Sequence, residues 1–421
     1  MKVDRTAKFG VRRHKPDYGI VLLTGMLMML GLVVMYAIGP QRAQVLNAIY
    51  GADNYGSMYF VIKQGISLLL AIMAFIAMAQ IPVSFFKKHS RALVGAGLFA
   101  CLVLAIAGLL NLPIVQCSLG ACRWFELGPL GTIQPAEFLK LALLLFVSGF
   151  LAVRHKQGEI NNKELTLIPL AVLTAVVILF VIGIQKDMGT GIAILAILIA
   201  MLFSVGLNKR IGAIVMVAVV AIGIMFIAIA PHRMQRVAAY LEGDNASSQD
   251  AGSYHIAQAK IAIGSGGVFG VGIGNSVQAT GYLPEAINDS VFAIMGETFG
   301  FTGLIAILGI FTALLLRLLK IADHISDMNM KLIVVGVFGW LGSHVILNVA
   351  AMTGIFPLTG ITLPLLSFGG TSMVFIAGAL GLVFQLSRYT SSDIVTEGGA
   401  HEDSRGRRGV RRTRYASRSR T

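Results

Sequence analysis

Asp289 and Glu285 are the residues whose type and spacing first point to chemistry. They lie in the stretch Gly264 to Gly300, GSGGVFGVGIGNSVQATGYLPEAINDSVFAIMGETFG, which opens glycine-rich and ends in an apolar run carrying Asp289 and Glu297. An acidic side chain in or at the mouth of a membrane helix costs free energy unless it is partnered, so its default reading is functional. The spacing predicts a helix beginning after Pro284, with Asp289 in or near its first turns, where the helix dipole favours the ionised form. An ionised, partly buried carboxylate serves as a general base; a helix-capping acid without chemistry is the plain alternative. Glu285, one turn earlier on nearly the same face, makes a carboxylate pair with Asp289 that either alters the titration of one partner or binds a cation.

Three further groups have chemical potential. Arg123 precedes Trp124, and Gln134-Pro135-Ala136-Glu137 is followed by Lys140 inside an apolar run. A buried cation there calls for an anionic ligand or a structural ion pair with Glu137 or Asp187. Gln185-Lys186-Asp187-Met188-Gly189-Thr190 is a charged hinge between two apolar runs and belongs in a polar cavity at the outer face. The glycines from Gly264 to Gly274 match neither GxGxxG nor GxxxxGK[ST], which excludes a nucleotide loop. They leave two readings open, amides exposed to an anion such as a pyrophosphate and close backbone packing.

The elements that must position these groups are membrane helices. Of the 421 residues, 56% are hydrophobic and 13% charged, and the mean hydropathy is +0.78. Apolar runs of spanning length recur from end to end, which excludes a set of soluble domains. The net charge of +14 does not indicate nucleic acid, because the basic residues collect in the two tails and in short loops, as positive-inside topology requires. The expected fold is an all-α polytopic membrane protein of about ten transmembrane helices with both termini cytoplasmic. Residues 1–17 form a basic cytoplasmic tail, 18–388 the ten-helix domain, and 389–421 a disordered Arg/Ser-rich tail resting on anionic lipid. The first span begins at Tyr18, an outer loop runs from Pro40 to about Met58, and Lys87, Lys88 and Arg91 mark a cytoplasmic turn before a third span from about Ala92. The large extracytoplasmic loop, 231–285, lies between helices 7 and 8 and carries His232, Arg233, Arg236, Glu242, Asp244, Asp250 and Lys260; a loop of that length is usually functional. The Pro- and Gly-rich segment from Asn348 to Ser372 is re-entrant or loop-like, serving as a lipid-tail groove or a simple connection. Cys117 and Cys122 flank a short polar loop, and the sequence leaves a disulfide and two free thiols equally open.

Taken together, RWFELGPLGTIQPAEFLK, QKDMGT, AIGSGGVFGVGIGNSVQATGYLPEAINDSVFAIMGETFG and GIFPLTGITLPLLSFGGTS resemble the ordered motifs of the SEDS family of shape, elongation, division and sporulation proteins. The last motif is more similar to the division members than to the elongation members. The resemblance implies a peptidoglycan glycosyltransferase of the bacterial cytoplasmic membrane, at the division septum, that polymerises lipid II with a class B penicillin-binding protein and other divisome membrane proteins as partners. It assigns Asp289 to the family's essential aspartate. It further implies substrate-binding roles for Arg123, Glu137, Lys140, Asp187, Glu285, Glu297 and Ser367, with a divalent cation, Mg or Mn, at Asp289 and Glu285. The chain departs from the family pattern at Ile287 and Asn288, where His and Thr are usual, and at Glu297-Thr298, where an acidic pair is usual. A lipid II flippase and a non-enzymatic scaffold are the rival readings.

Overall fold

The computed structural model describes residues 15–51, 54–118, 121–126, 128, 131–229, 234, 237 and 251–390. The expectations for residues 1–14, for His232, Arg233, Arg236, Glu242, Asp244 and Asp250, and for the tail from residue 391 lie outside them. The helices are α1 (Tyr18–Tyr50), α2 (Tyr59–Gln80), α3 (Val83–Leu109), α4 (Pro135–Gln157), α5 (Lys163–Ile184), α6 (Met188–Ser204), α7 (Lys209–Ile229), α8 (Ala251–Ser265), α9 (Val291–His324), α10 (Met328–Met352) and α11 (Gly370–Leu386). Among the described residues nine are long and apolar enough to cross a membrane, and α6 is a shorter apolar helix of 17 residues. Each expected span has its helix, and α8 is an addition inside the long loop.

Three local expectations change. The helix α1 runs through Pro40 to Tyr50, where an outer loop was expected. A proline removes one backbone bond and bends a helix, but the turns beyond it are held from outside: Gln41 Nε2 donates to the Gly274 carbonyl at 2.8 Å. The helix α3 starts at Val83, ahead of the expected start near Ala92, so Lys87, Lys88 and Arg91 lie in its polar first turns. The fold is also not purely helical. Between α3 and α4, β1 (Val115–Ser118), β2 (Ala121–Glu126) and β3 (Thr132–Ile133) make an antiparallel sheet, with Cys117 opposite Cys122 and a disulfide joining them.

Lipid tails are as apolar as leucine, so small residues that let helices approach decide the packing. Gly381 of α11 lies on the backbone of Phe75 in α2, and Gly336 and Gly339 of α10 lie on Leu144, Met201 and Ala200. At one end of the bundle Asp17 caps α1, takes Arg317 Nε at 2.7 Å, and donates its amide to Ser387 Oγ, tying α1, α9 and α11 together. The other end carries the sheet, α8 and the glycine-rich loop.

That loop is a packing device, which closes the choice the sequence left open. Val271 N and Gly272 N donate to the carbonyls of Glu297 and Thr298, and Phe301 N and Thr302 N donate to those of Gly267 and Val268. Such a backbone ladder inside a membrane helix requires a break, supplied at Gly300 with φ 67°. A Cβ at Gly300 would meet the backbone of Gly270, Val268 and Phe269. Gly300→Ala therefore combines left-handed strain with overpacking and is expected to lower stability by roughly 3 kcal/mol. Thermal unfolding of the detergent-solubilised protein checks this, and an unshifted midpoint would refute it.

Candidate active site

One cavity of about 580 Å³ opens at the sheet end of the bundle. Its walls come from β2 (Arg123, Trp124), the start of α4 (Gln134, Glu137), the start of α6 (Asp187, Gly189, Thr190), the turn before α9 (Glu285, Ile287, Asn288, Asp289), His344 of α10, and residues 360–362 and 368–372 leading into α11. Five expected residues, Arg123, Glu137, Asp187, Glu285 and Asp289, thus meet around one space. Lys140, Glu297 and Ser367 do not line it.

Asp289 sits on a turn and not on a helix. Gly281 at φ 115° and Glu285 at φ 49° curl the chain, the Ser290 and Asn288 amides donate back to the Glu285 carbonyl, and α9 begins only at Val291. The turn is fixed through its backbone: Phe368 N donates to the Ile287 carbonyl, and Asn348 Nδ2 donates to the carbonyls of Asp289 and Ile361, both at 2.7 Å. The left-handed backbone at Glu285 opposes a helical start here, and this holds Asp289 ahead of the first helical turn. Asn288 donates to Glu285 Oε2 at 2.5 Å, so Glu285 is oriented from within the same turn.

Asp187 is the cap of α6. Its carboxylate accepts from Thr190 N at 3.0 Å, Thr190 Oγ1 at 2.8 Å and Gln134 Nε2 at 2.8 Å, satisfying helix-end donors in the usual way and pinning the start of α4 to that of α6. Arg123 donates Nε to the Gln185 carbonyl and a terminal nitrogen to that of Lys186, at 3.1 and 2.9 Å, so it closes the end of α5 as well as facing the cavity. The disulfide staples the hairpin that carries it.

Lys140 makes the ion pair with Glu137 that was one of the two readings of its charge. It is fully buried, 2.8 Å from Glu137 Oε1 and 4.8 Å from the Trp340 ring centre. Three residues along a helix put both groups on one face, and the pair lies directly behind the cavity wall formed by Glu137. Glu297, expected to bind substrate, has its lone pairs taken by Ser276 Oγ, Val277 N and Gln278 N in a closed site; it anchors the end of the glycine-rich loop. Ser367 Oγ accepts from Leu363 N at 2.8 Å and shapes the loop whose next residues line the cavity.

His344 is a cavity residue that the motif reading passed over. Its Nε2 is 3.4 Å from Lys140 Nζ, and an ionisable side chain in an apolar run was the available signal. For a divalent cation, Asp289 and Glu285 offer two oxygen donors, the number used where phosphate and water complete a Mg²⁺ shell. No group of three or more His, Cys, Asp or Glu suited to a metal forms among the described residues.

The family of cell cycle proteins represented by FtsW, RodA and SpoVE matches residues 18–392. The chain belongs to the FtsW/RodA/SpoVE family. Like that family's members it is a multi-pass membrane protein, by its recurring spans. Stage V sporulation protein E of Bacillus subtilis (strain 168) is 31% identical over 90% of this chain and 99% of its own. The probable peptidoglycan glycosyltransferases FtsW of Nitrosomonas europaea and Pseudoalteromonas atlantica are 31% and 33% identical, each over 88% of this chain and over 93% and 72% of their own. In fold, the chain matches the rod shape determining protein RodA of Thermus thermophilus with a TM-score of 0.59 at 24% identity, over 90% of this chain and 98% of that one. It also matches a chain from a peptidoglycan synthase complex that coordinates polymerization and crosslinking, with a TM-score of 0.69 at 24% identity, over 89% and 98%.

Proposed function

We propose that the chain is a peptidoglycan glycosyltransferase that polymerises lipid II at the outer face of the cytoplasmic membrane, with Asp289 as the general base. The observation that carries this is Asp289 on a turn fixed through its own carbonyl, at the wall of an open cavity at one end of a spanning bundle. A carboxylate so held takes a proton from a hydroxyl brought into the cavity. The 4-hydroxyl of the acceptor GlcNAc gives its proton to Asp289 while its oxygen bonds to the anomeric carbon of the donor MurNAc. The bond from that carbon to undecaprenyl pyrophosphate breaks with inversion, and the pyrophosphate departs with the electron pair. Its charge is met by Arg123 and by the start of α11, where Gly369 to Ser372 face the cavity without a side-chain cap. Glu285, Glu137 and Asp187 set the other polar contacts of the bound sugars. A Mg or Mn ion at Asp289 and Glu285 would add neutralising charge to the pyrophosphate.

Relatives named FtsW support a role in septal wall synthesis, and the fold match to a polymerizing and crosslinking complex supports a class B penicillin-binding protein as partner, alongside other divisome proteins. The ionisable cavity groups gather in the helix turns at one end of the bundle, which favours a transferase over a lipid II flippase. The test is polymerisation of labelled lipid II by the purified full-length protein, alone and with a co-purified penicillin-binding protein, with and without chelator. Glycan chains are expected with the partner. Lipid II moved across proteoliposomes without any chains would establish the flippase, neither activity the scaffold, and undiminished polymerisation in excess chelator would remove the cation.

A further inference from the structure

Ser290 occupies the N-cap position of α9 yet makes no capping hydrogen bond. A serine there normally accepts from an amide in the first turn, an interaction worth about 1 kcal/mol. Instead its hydroxyl donates to the Pro284 carbonyl at 2.8 Å, and His255 Nε2 of α8 lies 2.6 Å from Ser290 Oγ. The hydroxyl has one proton and spends it on Pro284, so the imidazole must be the donor, which assigns the Nε2–H form to His255. Both residues are buried, Ser290 completely and His255 to 8% exposure.

The connectivity of this chain of bonds matters more than its strength. Pro284 opens the turn that carries the reactive carboxylate and Ser290 ends it. The bond between them closes the turn into a ring with Asp289 inside, and His255 fixes the serine rotamer that makes the closure. Asn348 holds the Asp289 carbonyl from the other side. The turn is thereby gripped by α8 and α10 together, from positions far apart in sequence.

We infer that His255 is a positioning residue for Asp289, acting through the Ser290 hydroxyl on the turn from Pro284 to Ser290. The inference rests on the reading of Asp289 as the base of a glycosyl transfer. A displacement of about an ångström at a reacting group costs up to a hundredfold in rate, so loosening this turn should reduce turnover while leaving lipid II binding by the rest of the cavity intact.

The test uses the full-length protein with its co-purified partner and labelled lipid II, comparing wild type with His255→Leu, His255→Gln, Ser290→Ala and the double variant His255→Leu/Ser290→Ala. His255→Leu and Ser290→Ala are each expected to lower kcat by about tenfold with KM nearly unchanged. The double variant should lose no more than either single one, because both break the same chain of bonds. His255→Gln, which keeps a donor at similar reach, should restore most of the rate. Amide hydrogen exchange at residues 285–290 should quicken in His255→Leu and not in His255→Gln. Unchanged kcat in His255→Leu, a change in KM alone, or losses that add in the double variant would overturn the inference. If the wild type makes no glycan, the transferase reading fails by itself. Exchange then still decides whether His255 holds the turn, and unaltered exchange in His255→Leu refutes that.

Discussion

Asp289→Asn is expected to abolish glycan polymerisation, with a fall of at least about a hundredfold in kcat, the lower range for removal of a general base. The substitution keeps the size of the side chain. It also spares the contacts that build the turn, since Asn348 holds Asp289 through its backbone carbonyl and Ser290 closes the loop through its own hydroxyl. What is lost is the proton acceptor. The thermal midpoint and the gel-filtration profile should therefore match wild type while chain formation disappears. Polymerisation at a wild-type rate would show that the acceptor hydroxyl loses its proton elsewhere, and Glu285 in the same turn would be the next candidate.

The surroundings of Asp289 explain why so much of the local sequence is spent on backbone. The chain places four carboxylates, Glu137, Asp187, Glu285 and Asp289, around one cavity, and like charges gathered in a low dielectric repel. Two of them are answered internally: Lys140 neutralises Glu137, and Asp187 is absorbed by the capping donors of α6 and by Gln134. Glu285 and Asp289 remain on one turn, with Asn288 steering the former. The structural groups therefore isolate the carboxylate pair to which the chemistry is assigned.

Much of this was legible because membrane helices announce themselves by composition. The apolar runs found every span, and the rule that intramembrane charge has a purpose led directly to Asp289, Lys140 and Glu137. The misreadings share one cause: a local signal overridden by contacts from far along the chain. Pro40 reads as a stop, yet the turns after it are held by Gly274. Lys87 and Lys88 read as a cytoplasmic turn ahead of a span from about Ala92, yet the helix already starts at Val83 and includes them, with Lys87 3.7 Å from Asp327. The rule that marks a charge as important does not name its partner. Lys140 read either as a ligand group or as an ion-pair partner of Glu137 or Asp187, and what its own helix could not show is its seat beside His344, 204 positions away, and over Trp340. His255 was invisible for the same reason, lying in a loop helix 35 positions before the serine it holds.

The buried pair behind the cavity gives the second large effect. In Lys140→Met the Glu137 carboxylate is left buried without its counter-charge, and breaking a buried pair from one side costs about 3–5 kcal/mol. A drop of that size should be visible as a markedly lower thermal midpoint in detergent, with polymerisation failing as the start of α4 loosens against α6. Replacing both partners, Lys140→Met with Glu137→Gln, removes the uncompensated charge, and stability should return close to wild type because exchange of a whole buried pair for uncharged groups is often neutral. Were Lys140 instead a direct ligand for the pyrophosphate, the single variant would keep its midpoint and lose affinity for lipid II. The two roles thus predict opposite patterns: a stability defect repaired by the second substitution, or a binding defect that the second substitution leaves untouched. Full burial of the ammonium, its 2.8 Å contact with Glu137 and its seat over Trp340 favour the first.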